Sequence, residues 1–199
     1  MKIKKYYKSN LLENEKYLLN RCVLIETISA QILSIPKTNF KFYDEYIIYQ
    51  QKHINKQRLQ IIPRKNRYDL LQKFSKDLDL MGDYKFVHGD INFSNVLYDG
   101  ESLKLIDFEP CFRQIRNNHV VIKSGLSFRS MNDYKNKMIT SETDKIGFYF
   151  VCKRLLDDNM QTILGRDLFE KRKNGSYEIG IREEDLIGMK FTEILISFA

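Results

Sequence analysis

Two carboxylates and an amide between residues 86 and 109 are spaced in a way that suits metal and proton chemistry. Asp90 lies in the stretch His-Gly-Asp-Ile-Asn-Phe-Ser-Asn, Asn95 follows it five residues later, and Asp107 lies in Ile-Asp-Phe-Glu. Oxygen ligands of this kind suit Mg²⁺, which proteins bind through one or two carboxylates together with substrate phosphates. One carboxylate can then hold the metal while the other accepts the proton of an attacking hydroxyl group.

Each of these residues taken alone is also typical of an ordinary turn or helix cap. The residues around them favour a site, because Phe86-Val87 and Leu103 to Ile106 are apolar and strand-like. Polar side chains at the ends of buried strands combine a rigid scaffold with access to solvent. The set at this spacing is therefore interpreted as functional.

The first 54 residues contain several short strand patterns and one helix pattern. Asn10 and Glu13 have the spacing of a capping box, which predicts a helix of about three turns that ends near Cys22. Asn39 is predicted to lie in a turn between two strands. The predicted strands are Lys2 to Tyr7, Val23 to Ile28, Ile32 to Ile35 and Tyr46 to Tyr49.

The remainder of the chain is mostly helical in pattern. A helix is predicted from Tyr68 to Leu80, and another begins near Thr143. Between them, the strands Asn95 to Tyr98 and Leu103 to Asp107 meet across Asp99-Gly100, a hairpin signal. The sequence thus predicts an α+β fold with two lobes: residues 1–54 form a small lobe and hinge, and residues 55–199 form a mainly helical lobe.

The pattern H-G-D-x4-N followed by I-D-F-E resembles the catalytic core of the aminoglycoside phosphotransferase and choline kinase group, within the protein-kinase-like superfamily. The resemblance implies a two-lobed kinase-like fold and an ATP- and Mg²⁺-dependent phosphotransferase with a catalytic loop at residues 86–109. It implies that Asp90 is the catalytic base and that His88 braces the loop. Asn95 and Asp107 are the implied metal ligands.

The same resemblance assigns residues on either side of the motif. A strand lysine paired with a helix glutamate positions the phosphates in kinases. Lys4 with Glu15 is the chosen pair, with Lys5 and Glu13 as open alternatives. Residues 46–54 are the implied last strand and adenine-binding hinge. Asp144 resembles the aspartate that supports the catalytic loop, although an acid at a helix N-terminus is also favoured by the helix dipole.

One departure from the family pattern matters. No glycine-rich G-x-G-x-x-G sequence occurs, so we expect a reduced N-terminal lobe that lacks a glycine-rich loop. Low activity, activation by a partner and a catalytically weak pseudokinase or scaffold are therefore open alternatives. An atypical Ser/Thr protein kinase is another, since residues 109–140 are rich in hydroxyl groups and contain arginines that can pair with phosphate. Those arginines are Arg113, Arg116 and Arg129.

The net charge of +7 is concentrated in residues 51–76, which hold eight basic residues and one acid, Asp69. The basic residues are Lys52, Lys56, Arg58, Arg64, Lys65, Arg67, Lys73 and Lys76. The kinase-like resemblance places this positively charged segment beside the cleft between the two lobes. Its charge there opposes the binding of a cationic substrate such as an aminoglycoside. The positive charge favours a non-cationic substrate, which is a small molecule or a glycan and can be anionic. Its confinement to one segment disfavours general nucleic-acid binding. An ordinary solvated helix face is an equally valid interpretation.

The composition also bounds the location of the protein. Cys22, Cys111 and Cys152 are scattered without a Cys-x-x-Cys pair, which is typical of a reducing compartment. No apolar run approaches the ~18 residues that a membrane span requires. The sequence therefore predicts a cytoplasmic protein without a membrane span.

Overall fold

The computed structural model describes residues 1–7, 15–55, 57, 59–108, 114–116, 119–121, 130–136, 139–157 and 182–199. It is a mixed α+β structure with small sheets. In chain order, the elements of the first part are β1 (Lys2–Tyr7), α1 (Glu15–Gln31), β2 (Thr38–Phe42) and β3 (Tyr46–Gln51). A short 3-10 helix, Leu59–Ile61, then leads into α2 (Arg64–Asp83).

The elements after α2 are shorter and include two small hairpins. The strands are β4 (Val96–Tyr98), β5 (Leu103–Leu105), β6 (Gln114–Arg116) and β7 (His119–Val121). The helices are α3 (Met131–Asn136), α4 (Ser141–Leu156), α5 (Glu183–Gly188) and α6 (Phe191–Ile196). None of the helices in the described part of the chain is long and apolar enough to cross a membrane.

β1 is an edge strand of a three-stranded antiparallel sheet with the order β1-β3-β2. Exposure alternates along it, as expected where successive side chains point to opposite faces. Lys2, Lys4 and Tyr6 lie on the partly buried face, and the residues between them are exposed. Lys2 is paired in register with Gln51, the last residue of β3. The strand predicted at Lys2 to Tyr7 is confirmed.

The first helix is longer than the sequence pattern indicated. Cys22, Ile25 and Ile28 are fully buried, and their spacing of three residues is that of a helix face packed on the sheet. The strand predicted at Val23 to Ile28 is therefore wrong, because a short apolar run does not by itself distinguish strand from helix. The strand predicted at Ile32 to Ile35 is also wrong, since these residues form a turn after α1.

Two further local predictions are wrong. Asn39 lies within β2, and the turn falls later, where the Tyr43 N–H donates to the carbonyl of Tyr46. Phe86 and Val87 form no strand, although Phe86 is buried and its N–H donates to the carbonyl of Met81 at the end of α2. Apolar side chains anchor that segment without the ladder of hydrogen bonds that a strand needs.

The helical core is built on α2 and α4, as the sequence predicted, with each helix extending beyond the predicted start. Phe74 of α2 and Phe191 of α6 contact Phe148 of α4, with ring centroids 6.1 Å and 5.5 Å apart. The predicted hairpin across Asp99-Gly100 is confirmed as β4 and β5, with Val96 opposite Leu105. Apolar side chains of the segment 86–108, among them Phe86, Ile91 and Phe108, are buried in this core.

Candidate active site

The loop from His88 to Asp90 is attached to α4 by one carboxylate. Asp144, fully buried in the first turn of α4, accepts hydrogen bonds of 2.7 Å from the backbone N–H groups of both His88 and Gly89. Gly89 has a φ of 82°, a conformation that favours glycine. The support of the loop predicted for Asp144 is confirmed by these contacts.

The buried setting changes the protonation of Asp144. Burial raises its pKa to about 7, and the hydrogen bonds from His88 and Gly89 only partly oppose that effect. The contacts themselves favour the carboxylate, because both of its oxygens accept an N–H. The titratable carboxyl group of Asp144 is thus in direct contact with the backbone of the loop that carries Asp90.

The His88 side chain joins the same loop to β5. Its Nε2–H donates to the carbonyl of Ile106 at 2.9 Å, and its Nδ1 accepts the backbone N–H of Asp90 at 3.2 Å. The ring stands perpendicular to Phe108, with centroids 4.8 Å apart. Burial lowers the pKa of His88 to about 4, so the imidazole is neutral and one nitrogen can accept. Through these contacts the His88 side chain holds the loop against the residues that follow β5, as a bracing residue would.

Asp90 is oriented by two amides. Asn92 Nδ2 donates to Asp90 Oδ1 and Asn95 Nδ2 to Asp90 Oδ2, each at 2.9 Å. Asn92 Oδ1 also accepts the backbone N–H groups of Ser94 and Asn95, which closes the turn between them. Sequence reasoning missed Asn92. The spacing Asp-x-Asn in a loop is the available signal, because an Asn side chain often closes a turn two residues on.

Asp107 lies just after β5 and contacts two lysines of β1. Its Oδ1 accepts from Lys2 Nζ at 2.6 Å and from Lys4 Nζ at 3.4 Å. Partial burial alone raises the pKa of Asp107, but the hydrogen bond from Lys2 and the charges of both lysines outweigh it and leave the pKa below its usual value. Asp107 also has a φ of 64°, which is uncommon for a non-glycine residue and often marks a functional position.

Lys4 and Lys5 lie on opposite faces of β1. Lys4 lies on the face of β1 that meets Asp107, whereas Lys5 lies on the opposite face, with its ammonium 3.7 Å from the centre of the Tyr46 ring. Lys2, two residues before Lys4 on the same face, was not predicted. The available signal was the alternation of a strand, which places residues 2 and 4 together.

Backbone hydrogen bonds connect these groups into one site. The Ile106 N–H donates to the carbonyl of Asn95 at 2.9 Å, beside the His88 contact to the carbonyl of Ile106. The described structure therefore brings together the predicted residues His88, Asp90, Asn95, Asp107 and Lys4. Glu15 begins α1, but its side chain lies outside the described part, as do Glu13 and Glu109. Their roles stay predictions.

An arginine of α1 supplies a further contact that the sequence did not indicate. Arg21 is buried, donates through Nη2 to the carbonyl of Val87 at 3.2 Å, and lies 4.4 Å from the centre of the Phe86 ring. A buried arginine on a helix with otherwise apolar buried positions is costly unless it is paired. Here it joins α1 to the residues immediately before His88.

The side chains that could hold a hard cation at this place are few. In the described residues, no group of three or more His, Cys, Asp or Glu side chains comes together as a metal site. A Mg²⁺ ion here would rely on Asp107 and Asn95, with phosphate oxygens and water completing the coordination. The Nδ2 of Asn95 donates to Asp90, so that contact leaves Oδ1, the amide atom that can bind a metal, unused.

A small cavity of about 40 Å³ lies beside this site, between β1, the residues after β3 and the β4–β5 hairpin. Leu97 and Ile106 provide its apolar surface, and Lys2, Gln51 and His53 are among the other lining residues. Gln51 is buried, and within the described part of the chain its Nε2 has no hydrogen-bond partner. A buried donor without a partner indicates a place where a ligand can supply the acceptor.

A larger cavity of about 330 Å³ lies behind the residues that follow β3, between α1 and the β4–β5 hairpin. Lys37, Lys52 and Lys104 line it together with Asp99. Lys104 is already engaged there, since its Nζ donates to the carbonyl of Leu33 at 2.7 Å and lies 3.6 Å from Asp99 Oδ2. None of the predicted site residues lines this cavity, although it shares Lys52, His53 and Ile54 with the small one.

The basic segment does not act as one surface. Arg67 donates to the carbonyls of Ile62 and Leu155 at 3.0 Å and 2.9 Å, so it holds the start of α2 to the end of α4. Lys52 and His53 line both cavities. Lys56 and Arg58 lie outside the described residues. Part of the positive charge is thus structural, and part lies beside the cleft.

A scan against protein-family models and a search of curated proteins find no match for the chain.

Proposed function

We propose that the protein is an ATP- and Mg²⁺-dependent phosphotransferase with a two-lobed, kinase-like fold, and that it phosphorylates a hydroxyl group. The observation that carries the proposal is the connected set His88, Asp90, Asn95 and Asp107, which meets a strand lysine across the cleft. Phosphoryl transfer needs a positioned base, carboxylate ligands for a metal and cations for the phosphates. All three kinds of group are present within this set.

Each residue has a role that follows from its contacts. Asp90 is the proton acceptor for the attacking hydroxyl, since both of its oxygens are held by the amides of Asn92 and Asn95. Lys4 leaves Asp107 and binds phosphate oxygens when a nucleotide arrives. Asp107 and Asn95 hold Mg²⁺, which when bound supplies positive charge to the phosphates.

The unpartnered Gln51 supports a nucleotide as the ligand. A nucleotide base bound beside the residues that follow β3 contacts Leu97 and Ile106. One of its acceptor atoms can then accept a hydrogen bond from Gln51 Nε2. The cavity as it stands is smaller than a purine ring, so binding requires the sheet and the β4–β5 hairpin to separate. Opening and closing of two lobes around a nucleotide is an established kind of enzyme motion.

The acceptor substrate is proposed to be a non-cationic small molecule or glycan. Lys52 and His53 lie beside the cleft, and Asp107 is already paired with Lys2 and Lys4. A polycation would therefore have to compete with these lysines for Asp107. The cytoplasm is the proposed location, in keeping with Cys22 and Cys152, which are both buried free thiols.

The proposal is tested by product formation. The protein is incubated with γ-labelled ATP, Mg²⁺ and a metabolite extract, and phosphorylated products are identified by mass spectrometry. We expect a phosphorylated small molecule from the wild type and about 10²-fold or greater loss of the product with Asp90→Ala, because proton transfer contributes at least that much.

Two outcomes would lead to a different function. Label on protein rather than on a small molecule indicates the protein-kinase alternative. Nucleotide binding without any product indicates the pseudokinase alternative, which the occupation of Asp107 by two lysines also favours, because a metal must displace them.

A further inference from the structure

We propose that Lys2 and Gln51 form a cross-strand nucleotide-recognition pair, in which the Lys2 ammonium binds the phosphates and Gln51 Nε2 donates to an acceptor on a purine base. The proposal rests on the proposed function, because it concerns the same cleft. It names the two side chains that select and hold the nucleotide.

The pairing of β1 with β3 makes Lys2 and Gln51 neighbours. Lys2 and Gln51 stand directly opposite each other in the antiparallel β1–β3 ladder, and both line the small cavity beside Leu97 and Ile106. Directly opposed side chains of such a ladder lie on the same face. The pair therefore presents one cation and one amide donor to the same space.

Lys2 spans the distance from that cavity to the metal end of the cleft. Its backbone is at the level of Gln51, yet its Nζ contacts Asp107 Oδ1 at 2.6 Å, closer than Lys4 Nζ at 3.4 Å. Two ammonium groups thus share one carboxylate oxygen. Phosphate oxygens can compete with that oxygen for the Lys2 ammonium even before a metal binds.

This placement puts a second phosphate-binding group on β1 itself. A lysine beside Lys4 on the same face of the strand adds hydrogen-bond donors and positive charge for the phosphates. Lys2 is half-exposed, so its ammonium can turn from Asp107 to a phosphate at modest cost.

Gln51 supplies the base end. Its Nε2 is buried and has no partner in the described structure, and such a donor costs stability unless a ligand satisfies it. Purines carry ring nitrogens that accept a hydrogen bond. The unpaired donor thus lowers the stability of the ligand-free protein, which is typical of binding residues.

The test is calorimetric titration in EDTA with three separate probes: ADP, tripolyphosphate and adenosine. The variants are Lys2→Met and Gln51→Leu. Their matched controls are Lys5→Met and Gln50→Leu, which make the same changes on the opposite faces of the same two strands, β1 and β3.

We expect Lys2→Met to weaken ADP and tripolyphosphate about tenfold or more and to leave adenosine unchanged, because a charge-assisted hydrogen bond is lost. We expect Gln51→Leu to weaken ADP and adenosine about tenfold and to leave tripolyphosphate unchanged. Its ligand-free melting temperature should be equal to or above that of the wild type. Both control variants should bind all three probes as the wild type does.

The pair is refuted if Lys2→Met and Gln51→Leu bind ADP as tightly as the wild type, or if the two variants do not differ in their effects on tripolyphosphate and adenosine. In that case the proposed function stands as long as the wild type binds ADP. Absence of ADP binding by the wild type in EDTA refutes the pair, and absence of binding in Mg²⁺ as well overturns the proposed function.

Discussion

The carboxylate of Asp144 in α4 holds the backbone N–H of His88 at 2.7 Å, across 56 positions of sequence. With the neighbouring bond to Gly89, this contact fixes the loop that carries Asp90 to the most buried helix of the core. The loop is thus attached to α4 through its backbone, and this attachment does not use the side chain of Asp90.

Replacing Asp144 with Asn removes one of the two acceptors. The amide offers a single oxygen, and its NH2 group faces a second N–H donor that cannot pair with it. We expect Asp144→Asn to lower the free energy of unfolding by about 1–3 kcal/mol, the usual cost of an unsatisfied buried group. Urea denaturation measures this change. Asp69→Asn, at an exposed position of α2, should stay within about 0.5 kcal/mol of the wild type.

The pH dependence of stability reports on His88. Its pKa is about 4 in the folded protein and 6.5 for an ordinary histidine, because burial disfavours the charged ring. Below pH 6.5 the unfolded chain therefore binds a proton that the folded protein does not. Stability from this group is complete above pH 6.5 and is lost as the pH falls towards 4, by up to about 3 kcal/mol.

The measurement compares the wild type with His88→Gln across that pH range. Asp144, whose pKa is raised to about 7, titrates with the opposite sign, but it is present in both proteins and cancels from the difference. The gap in unfolding free energy should narrow as the pH falls from 6.5 to 4. A constant gap over this interval contradicts a buried neutral imidazole.

Gly147 sets the distance between α4 and the loop. A Cβ at this position would lie 2.0 Å from the carbonyl oxygen of Ile91. That oxygen belongs to the backbone, so it cannot move aside as the end of a flexible side chain could. We expect Gly147→Ala to cost at least about 3 kcal/mol, because α4 must separate from the loop. Thermal and urea unfolding measure the loss.

Gly82 provides the matched control for this substitution. It also lies in a helix, but a Cβ there meets nothing within 4 Å. Gly82→Ala should therefore be neutral or stabilise by up to about 1 kcal/mol, since alanine has the higher helix propensity. Equal effects at the two glycines would show that the α4–loop contact is not close.

Sequence reasoning found the chemical groups of the site more completely than the elements that carry them. Asp90, Asn95 and Asp107 were identifiable because their types and spacing are chemically restrictive. The helical state of Val23 to Ile28 was not, because a short apolar run suits strand and helix alike until the sheet packs on it. Lys2 and Arg21 were missed for a related reason: their importance lies in contacts 105 and 66 positions away.

Substitution of Asn92 tests whether its amide orients Asp90 for the proposed proton transfer. Asn92→Asp keeps the oxygen that accepts the Ser94 and Asn95 N–H groups but replaces the donor to Asp90 by a second carboxylate oxygen. We expect kcat to fall about 10- to 100-fold because Asp90 is misoriented, and the melting temperature to fall as well because two carboxylates then lie in contact. KM for ATP should be unchanged.

Steady-state kinetics on an identified substrate supply this measurement. Asn66→Asp makes the same chemical change at an exposed position of α2 and should leave kcat unaltered. If Asn92→Asp retains full kcat, Asp90 does not depend on that amide for its orientation.

The central claim is that Asp107 holds the metal of a nucleotide site, and binding of a non-hydrolysable ATP analogue tests it most directly. Calorimetric titrations with and without Mg²⁺ are compared for the wild type, Asp107→Asn and the exposed control Asp83→Asn. We predict that Mg²⁺ tightens binding about tenfold or more in the wild type and the control, and not in Asp107→Asn. An equal gain from Mg²⁺ in Asp107→Asn, or no binding of the analogue by the wild type, would contradict the claim.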